Sequence, residues 1–277
     1  MQSEERPLDL HALPEGCISN VLSLTSPRDA CRLSLISTIF KRAGESDAVW
    51  ERFLPSDYQA IISRSTSPVP PDLSKKDLYF YLCDHPILID GGTKSFAVDK
   101  CTGKKIYMLG ARDISIIWGS SPEYWNWRAL PESRFAEVAE LLAVCWLEII
   151  GKIETRMLSP KTIYKAYLVI KFGDGMYGLQ RSPADVSVSV GGNASGSRRL
   201  VYMCNEDDAH ITHLRMRRPE LEGQFPKNRE DGWMEIEMGE LFNDEGEDGE
   251  VKMTLTETKS GHWKGGLIVL GIELRPN

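Results

Sequence analysis

The feature that most constrains the fold of this chain is a change in its hydrophobic period near residue 88. Before that point apolar residues recur every three or four positions, as in Ile18, Val21 and Leu22, which is typical of a helix with one buried face. After it they alternate with polar residues, which is typical of half-buried strands. The alternating runs are 164–172, 186–190, 234–238 and 251–255. The sequence therefore predicts an α+β protein, with a small helical domain followed by an all-β domain.

The helical part has a clear start signal. Ser26 is a good N-cap, Pro27 fits the first helical position, and Asp29 supplies the acid of a capping box. The apolar stripe behind this start predicts one helix that continues to Gly44. A third short helix is predicted around Trp50.

A connector separates the helical part of the sequence from the part with alternating residues. Residues 64–77 are rich in Pro and Ser, and a short helical pattern follows them. We therefore expect a helical domain at 1–60, a linker with a short helix at 61–87, and a β domain at 88–277.

Charge and composition exclude several protein classes. The 277 residues carry 33 basic and 40 acidic side chains, a net charge of −7, so a basic nucleic-acid binder is not expected. No apolar run approaches the roughly 20 residues that span a bilayer, and the acidic start of the chain lacks a secretory h-region. The six cysteines contain no C-x-x-C pair, which favours reduced thiols. We expect a cytoplasmic or nuclear protein with no membrane partner.

The motifs of the helical part occur together in one register. They are Leu13-Pro14-Glu15, Ile18, the run from Leu22 to Ala30 that contains Pro27-Arg28-Asp29, Arg32-Leu33-Ser34 and Val49-Trp50-Glu51. This pattern resembles an F-box. F-boxes dock on a Skp-family adaptor, which connects them to a cullin scaffold and a ubiquitin-conjugating enzyme.

The resemblance implies a set of adaptor-binding residues. By motif position these are Leu13, Pro14, Ile18, Leu22, Leu33, Val49 and Trp50. The sequence does not divide this set between the adaptor interface and the core of the F-box itself. A second alternative is that the apolar residues of this part pack on the β domain.

The tryptophans are the most informative residues of the β domain. Two of them, Trp125 and Trp127, follow a turn-like Gly-Ser-Ser-Pro-Glu run, which favours a loop rim over a sheet centre. An indole at a rim can stack on the apolar face of a sugar ring. The alternative is that the tryptophans fill the core or pack at strand edges.

Longer motifs resemble the phloem-lectin family, typified by the tobacco agglutinin. They are 111–118, 122–127, 135–141, 144–153, and the endings 261–267 and 271–276. The resemblance implies a jelly-roll-like β-sandwich that recognises glycans containing N-acetylglucosamine. Trp118 and Trp125 match the tryptophans implicated in sugar binding in that family.

No motif indicates catalysis, a cofactor or a metal. His210 and His213 could form a metal pair, but no third ligand has a fixed spacing to them. The glycine-rich stretch 191–197 lacks the Gly-Lys-Ser/Thr of a phosphate loop. We therefore expect no catalytic residues, no cofactor and no metal.

Together the two resemblances predict the substrate-recognition subunit of a Skp–cullin–F-box ubiquitin ligase. Its β-sandwich would capture a target protein or glycoprotein. Three alternatives stay open: a module that binds protein surfaces through a sandwich with a vestigial sugar site, a ubiquitin-independent cytosolic lectin, and a hydrolase acting on glycans.

Overall fold

The computed structural model describes residues 13–191, 193–194, 198–205, 223–246 and 249–277. The chain divides into two compact units: a helical unit (residues up to Ser63, Pro68–Pro86 and Ala97–Lys104) and a β unit (Arg64–Ser67, Ile87–Phe96 and Lys105–Asn277). Helices followed by antiparallel sheets confirm the predicted fold class. Across the described ranges, no helix has the length and apolar character needed to cross a bilayer.

The helical unit is built from short helices. They are α1 (Glu15–Ser23), α2 (Pro27–Leu33), α3 (Thr38–Gly44), α4 (Asp47–Phe53), α5 (Tyr58–Ser63) and α6 (Lys75–Asp84). The predicted start of α2 is confirmed, since Ser26 Oγ accepts a hydrogen bond from the Asp29 N–H at 3.1 Å. The Asp29 carboxylate in turn accepts the Ser26 hydroxyl at 2.8 Å.

The prediction of one helix as far as Gly44 is wrong. Helix α2 ends at Leu33, and a new helix, α3, starts at Thr38. Ser37 has extended backbone angles, and its Oγ accepts the Phe40 N–H at 3.3 Å, so it is the N-cap of the new helix. A serine that caps an N-terminus competes with continuation of the helix before it, and here the cap prevails.

Trp50 is the centre of the helical unit. Its indole is 1% exposed, and its Nε1 donates a hydrogen bond to the Gly44 carbonyl at 2.7 Å. Its ring lies 5.5 Å from that of Phe53 and 5.2 Å from that of Tyr79. Tyr79 belongs to α6, so the short helix that we assigned to a linker is part of the helical unit.

The β unit consists of two antiparallel sheets. In chain order the strands are β1 (Ile87–Ile89), β2 (Lys94–Val98), β3 (Lys105–Gly110), β4 (Ser115–Ile116), β5 (Trp125–Arg128), β6 (Val138–Leu141), β7 (Leu147–Glu154), β8 (Thr162–Tyr177), β9 (Ala184–Val190), β10 (Asn193–Ala194), β11 (Arg199–Val201), β12 (Lys227–Asn228), β13 (Met234–Asn243), β14 (Glu250–Glu257) and β15 (Gly265–Pro276). The predicted alternating runs lie in β8, β9, β13 and β14, which confirms them as strands.

One sheet has the order β1-β2-β3-β15-β8-β13-β12, and β5 joins it through β6, which pairs with β15. The other has the order β10-β9-β14-β7-β4, with β11 on β9. A Cβ added to Gly151 of β7 would lie 2.7 Å from Cδ1 of Ile272 in β15. The inner faces of the two sheets therefore pack closely, and a larger residue at that point would displace the end of the Ile272 side chain.

A buried ion pair lies at the start of β15. The side chains of Lys264 and Glu257 are 2% and 3% exposed and contact each other directly. Lys264 Nζ also donates to the Cys145 carbonyl at 2.8 Å, and the Glu257 carboxylate accepts the Ser260 N–H at 3.1 Å. The pair thus joins the segment from residue 257 to 264 to the segment between β6 and β7.

Removal of one partner should destabilise the protein strongly. We expect Glu257→Gln to lower the free energy of unfolding by about 3–5 kcal/mol, because it leaves a buried ammonium without its counter-charge. Urea denaturation of the full chain, followed by near-UV circular dichroism, measures this loss.

The matched control is Asp244→Asn. Asp244 pairs with Lys161 at the surface, where the two side chains are 53% and 60% exposed. We expect that change to cost less than about 1 kcal/mol. Equal losses in the two variants would contradict the assignment of a structural role to the buried pair.

Candidate binding surfaces

The helical unit exposes large apolar side chains on and between its first helices. They are Val21 and Leu24 at the end of α1, 52% and 65% exposed, and Leu35 and Ile36 between α2 and α3, 87% and 67% exposed. We call these four residues the exposed apolar set. Aliphatic surface left in water is unfavourable, so these four side chains are candidates for contact with another molecule.

The structure divides the seven predicted adaptor-binding residues. Ile18, Leu22, Val49 and Trp50 are each 2% exposed or less, so they fill the core of the unit itself, which is one alternative that the sequence left open. The other three reach the surface: Leu13 and Leu33 are half-buried and Pro14 is exposed. Their contact with an adaptor stays a prediction.

Sequence reasoning missed the exposed apolar set as a group. Leu35 and Ile36 fit the stripe of a continuous helix, and in such a helix Ile36 would face the core. The signal that could have corrected this is Ser37, whose hydroxyl can accept the N–H three residues later and so begin a new helix.

In the β unit, Trp118 lies in the turn between β4 and β5. Its side chain is 40% exposed, and its ring centroid lies 5.4 Å from that of Tyr124. Its backbone has φ of 54°, in the left-handed region that bulky residues rarely adopt. Such conformations persist where surrounding contacts hold them, and they are concentrated at functional sites.

Trp125 occupies a different position from the one that the family resemblance implies. It is 1% exposed, and its Nε1 donates to the Ile117 carbonyl at 3.1 Å. Trp118 and Trp125 are seven positions apart in the sequence, and of the two the structure exposes only Trp118 to solvent. For Trp125 the core position applies, and its part in sugar binding stays a prediction.

Trp127 has a comparable bond that the sequence did not reveal. Its Nε1 donates to the Gly119 carbonyl at 2.6 Å. The guanidinium carbon of Arg112 lies 3.6 Å from the centre of its ring, and Arg112 also pairs with Glu137 at 2.8 Å. A stacked guanidinium of this kind is a favourable cation–π contact.

Polar side chains share strand β5 with these tryptophans. Asn126 lies opposite Glu140 across the β5–β6 pair, and its Nδ2 donates to Glu140 Oε2 at 3.1 Å. Arg128 Nε contacts the same carboxylate at 2.9 Å. Because successive side chains of a strand face opposite sides, Asn126 and Arg128 lie on the other face of β5 from Trp125 and Trp127.

Two further exposed tryptophans lie elsewhere in the unit. Trp146 is 48% exposed and Trp263 is 55% exposed, on either side of the bridge between Val144 and Lys264. Within the residues that the structure describes, no three His, Cys, Asp or Glu side chains are grouped to hold a metal ion. The predicted candidates His210 and His213 lie outside those residues.

Comparison with known protein families gives two matches. A family described as F-box domain matches residues 10–52, and a family described as Phloem protein 2 matches residues 104–276. The segment that matches the F-box domain contains the exposed apolar set, and the segment that matches Phloem protein 2 contains Trp118, Trp125 and Trp127.

Curated relatives match along almost the whole chain. F-box protein PP2-B10 of Arabidopsis thaliana is 45% identical over 281 residues, which cover 100% of this chain and 96% of the relative. F-box protein VBF of the same plant is 46% identical over 279 residues, covering 95% and 98%.

Solved structures give only remote likenesses. A β-(1,4)-mannanase of Podospora anserina with a family 35 carbohydrate-binding module aligns at 10% identity and a TM-score of 0.33, over 62% of this chain and 28% of the other. A family 35 carbohydrate-binding module from Clostridium thermocellum aligns at 11% identity and 0.32, over 61% and 96%. Likenesses at such values carry no functional argument.

Trp118 and Trp125 differ in burial, and this difference gives a stability prediction. We expect Trp125→Ala to lower the free energy of unfolding by about 3–5 kcal/mol, because it opens a cavity in the core. Trp118→Ala should change it by less than about 1 kcal/mol, since a half-exposed side chain leaves no cavity. Urea denaturation of the full-length variants measures both. Equal losses would show that Trp118 is a packing residue.

Proposed function

The chain belongs to the plant F-box proteins of the phloem protein 2 family, and from that membership we propose that it is the substrate-recognition subunit of a Skp–cullin–F-box ubiquitin ligase. In this proposal the helical unit docks on a Skp-family adaptor and the β unit captures the target. The receptor would act by holding a target lysine near a charged ubiquitin carrier, so the rate gain comes from proximity. It would perform no bond chemistry itself.

The exposed apolar set is the observation that supports the adaptor contact. Its members lie inside the segment that matches the F-box family, and each is more than half exposed although the unit buries Trp50, Leu22 and Ile18. A stable interface buries about 1,600 Å² in total, and side chains near its centre contribute most when they are fully covered.

Charge substitutions in the exposed apolar set test the adaptor contact. We expect the double variant Leu35→Asp/Ile36→Asp to lower capture of a Skp-family adaptor at least tenfold, because it places two carboxylates in an apolar interface. Co-expression followed by affinity purification and quantitation of the adaptor measures the loss.

The matched control is Phe242→Asp, which charges another exposed apolar residue, 55% exposed, on β13 of the β unit. It should keep full adaptor binding. An adaptor that binds the double variant as well as the wild type would contradict this docking surface. An adaptor that never binds would favour a lectin that acts without ubiquitin.

For the target, we propose capture through glycans that contain N-acetylglucosamine, with Trp118 as the stacking surface. Covering half an indole removes about 80–100 Å² of apolar surface and contributes roughly 2 kcal/mol. With a few hydrogen bonds this gives an affinity in the millimolar to micromolar range. Such binding becomes selective when several glycans on one glycoprotein are engaged together.

One observation favours a second candidate for the β unit. Because Trp125 is buried, the structure offers one exposed indole in this segment, where the family resemblance implies two. A sandwich with a reduced sugar site could capture its target by protein-surface contacts. Target capture that survives the loss of Trp118 would distinguish this candidate.

A glycan array tests whether the β unit captures its target through glycans or through protein-surface contacts. We expect the adaptor-bound protein to bind N-acetylglucosamine-containing glycans, and Trp118→Ala to lower that signal at least tenfold. Trp146→Ala is the matched control, because it removes an indole of similar exposure from another loop. Loss of binding in Trp146→Ala with binding kept in Trp118→Ala would place the site elsewhere. No binding by the wild type would favour protein-surface recognition.

A further inference from the structure

Two indole N–H groups hold the backbone on both sides of Trp118. Trp125 donates to the carbonyl of Ile117, and Trp127 donates to the carbonyl of Gly119, each across eight residues. The donors are two positions apart on β5, and the acceptors are two positions apart around Trp118. We call this pair of bonds the indole clamp.

The geometry of a strand explains why both bonds form together. Residues two apart on a strand face the same side, so the side chains of Trp125 and Trp127 run in parallel towards the turn. β5 pairs along its length with β6, from Trp125 opposite Leu141 to Arg128 opposite Val138. The donors therefore stand on a paired strand, whereas the acceptors lie in a turn.

The turn itself needs such support. Trp118 has a left-handed backbone, and the neighbouring Gly119 N–H bonds to the Ile116 carbonyl at 3.0 Å. A non-glycine residue leaves the left-handed region readily unless neighbouring contacts hold it there. The Ile117 carbonyl belongs to the peptide plane that precedes Trp118, and the Gly119 carbonyl belongs to the plane that follows Gly119, so the two bonds hold the turn on both sides of this residue.

We propose that Trp125 and Trp127 are positioning residues, which hold the Trp118 indole in the orientation in which it stacks on a sugar ring. This inference rests on the proposed glycan-binding function. It gives Trp125 a supporting role in place of direct contact with the ligand. It also adds Trp127, whose ring is held by the Arg112 guanidinium at 3.6 Å.

The first test removes one donor and keeps an aromatic ring. The full chain, wild type or Trp127→Phe, is titrated with the β-1,4-linked trimer of N-acetylglucosamine in a calorimeter. We expect about tenfold weaker binding in Trp127→Phe and a melting temperature close to that of the wild type, because the ring is half-buried at the surface. Trp146→Phe, the matched control, should bind like the wild type.

A second measurement separates positioning from a general structural effect. Each of the seven tryptophans gives one fluorine resonance when the chain is labelled with 5-fluorotryptophan, and the Trp118 line is identified by its loss in Trp118→Phe. We expect Trp127→Phe to shift or broaden the Trp118 line without any sugar present. The lines of Trp146 and Trp263 should not move.

The outcomes are distinct. Weaker binding together with a displaced Trp118 line supports the proposal. Unchanged binding, or an unchanged Trp118 line, would overturn it. If the wild type binds no trimer, the glycan-binding function fails, and the Trp118 line alone then decides whether the indole clamp positions that side chain.

Discussion

The β unit depends on its last strand. β15 lies between β3 and β8 and also receives β6, so the chain's C-terminal segment forms the middle of the larger sheet. Its backbone runs so close to β3 that a Cβ on Gly271 would lie 1.9 Å from the Leu109 carbonyl oxygen. The position of β6 on β15 fixes β5, and β5 carries Trp125 and Trp127. The Trp118 turn is therefore placed by residues about 150 positions later in the chain.

Much of the fold could be predicted because the burial of one face of a helix or strand makes apolar residues recur at a regular spacing in the sequence. The alternation of Val186, Val188 and Val190 with serines identified β9, since one face of that strand is buried and the other is not. The N-cap at Ser26 was readable because a capping hydroxyl acts within three residues. Both features are local, which is why one sequence was enough to find them.

The candidate sites were harder to predict because they depend on direction. The sequence does not show whether a tryptophan ring faces water, as that of Trp118 does, or the core, as that of Trp125 does. The buried Trp125 donates its indole N–H to a carbonyl eight residues earlier, and no periodicity in the sequence reveals such a bond. In the helical unit, similarly, one serine cap at Ser37 decides that Leu35 and Ile36 point outwards.

A growing chain that still lacks β15 cannot complete the larger sheet. Until residues 265–276 have left the ribosome, β3, β6 and β8 lack the strand on which they pair. A stop codon before β15 would therefore prevent the larger sheet from forming. It would leave intact the coding sequence of the helices that match the F-box family, so such an allele would encode those helices without a complete β unit.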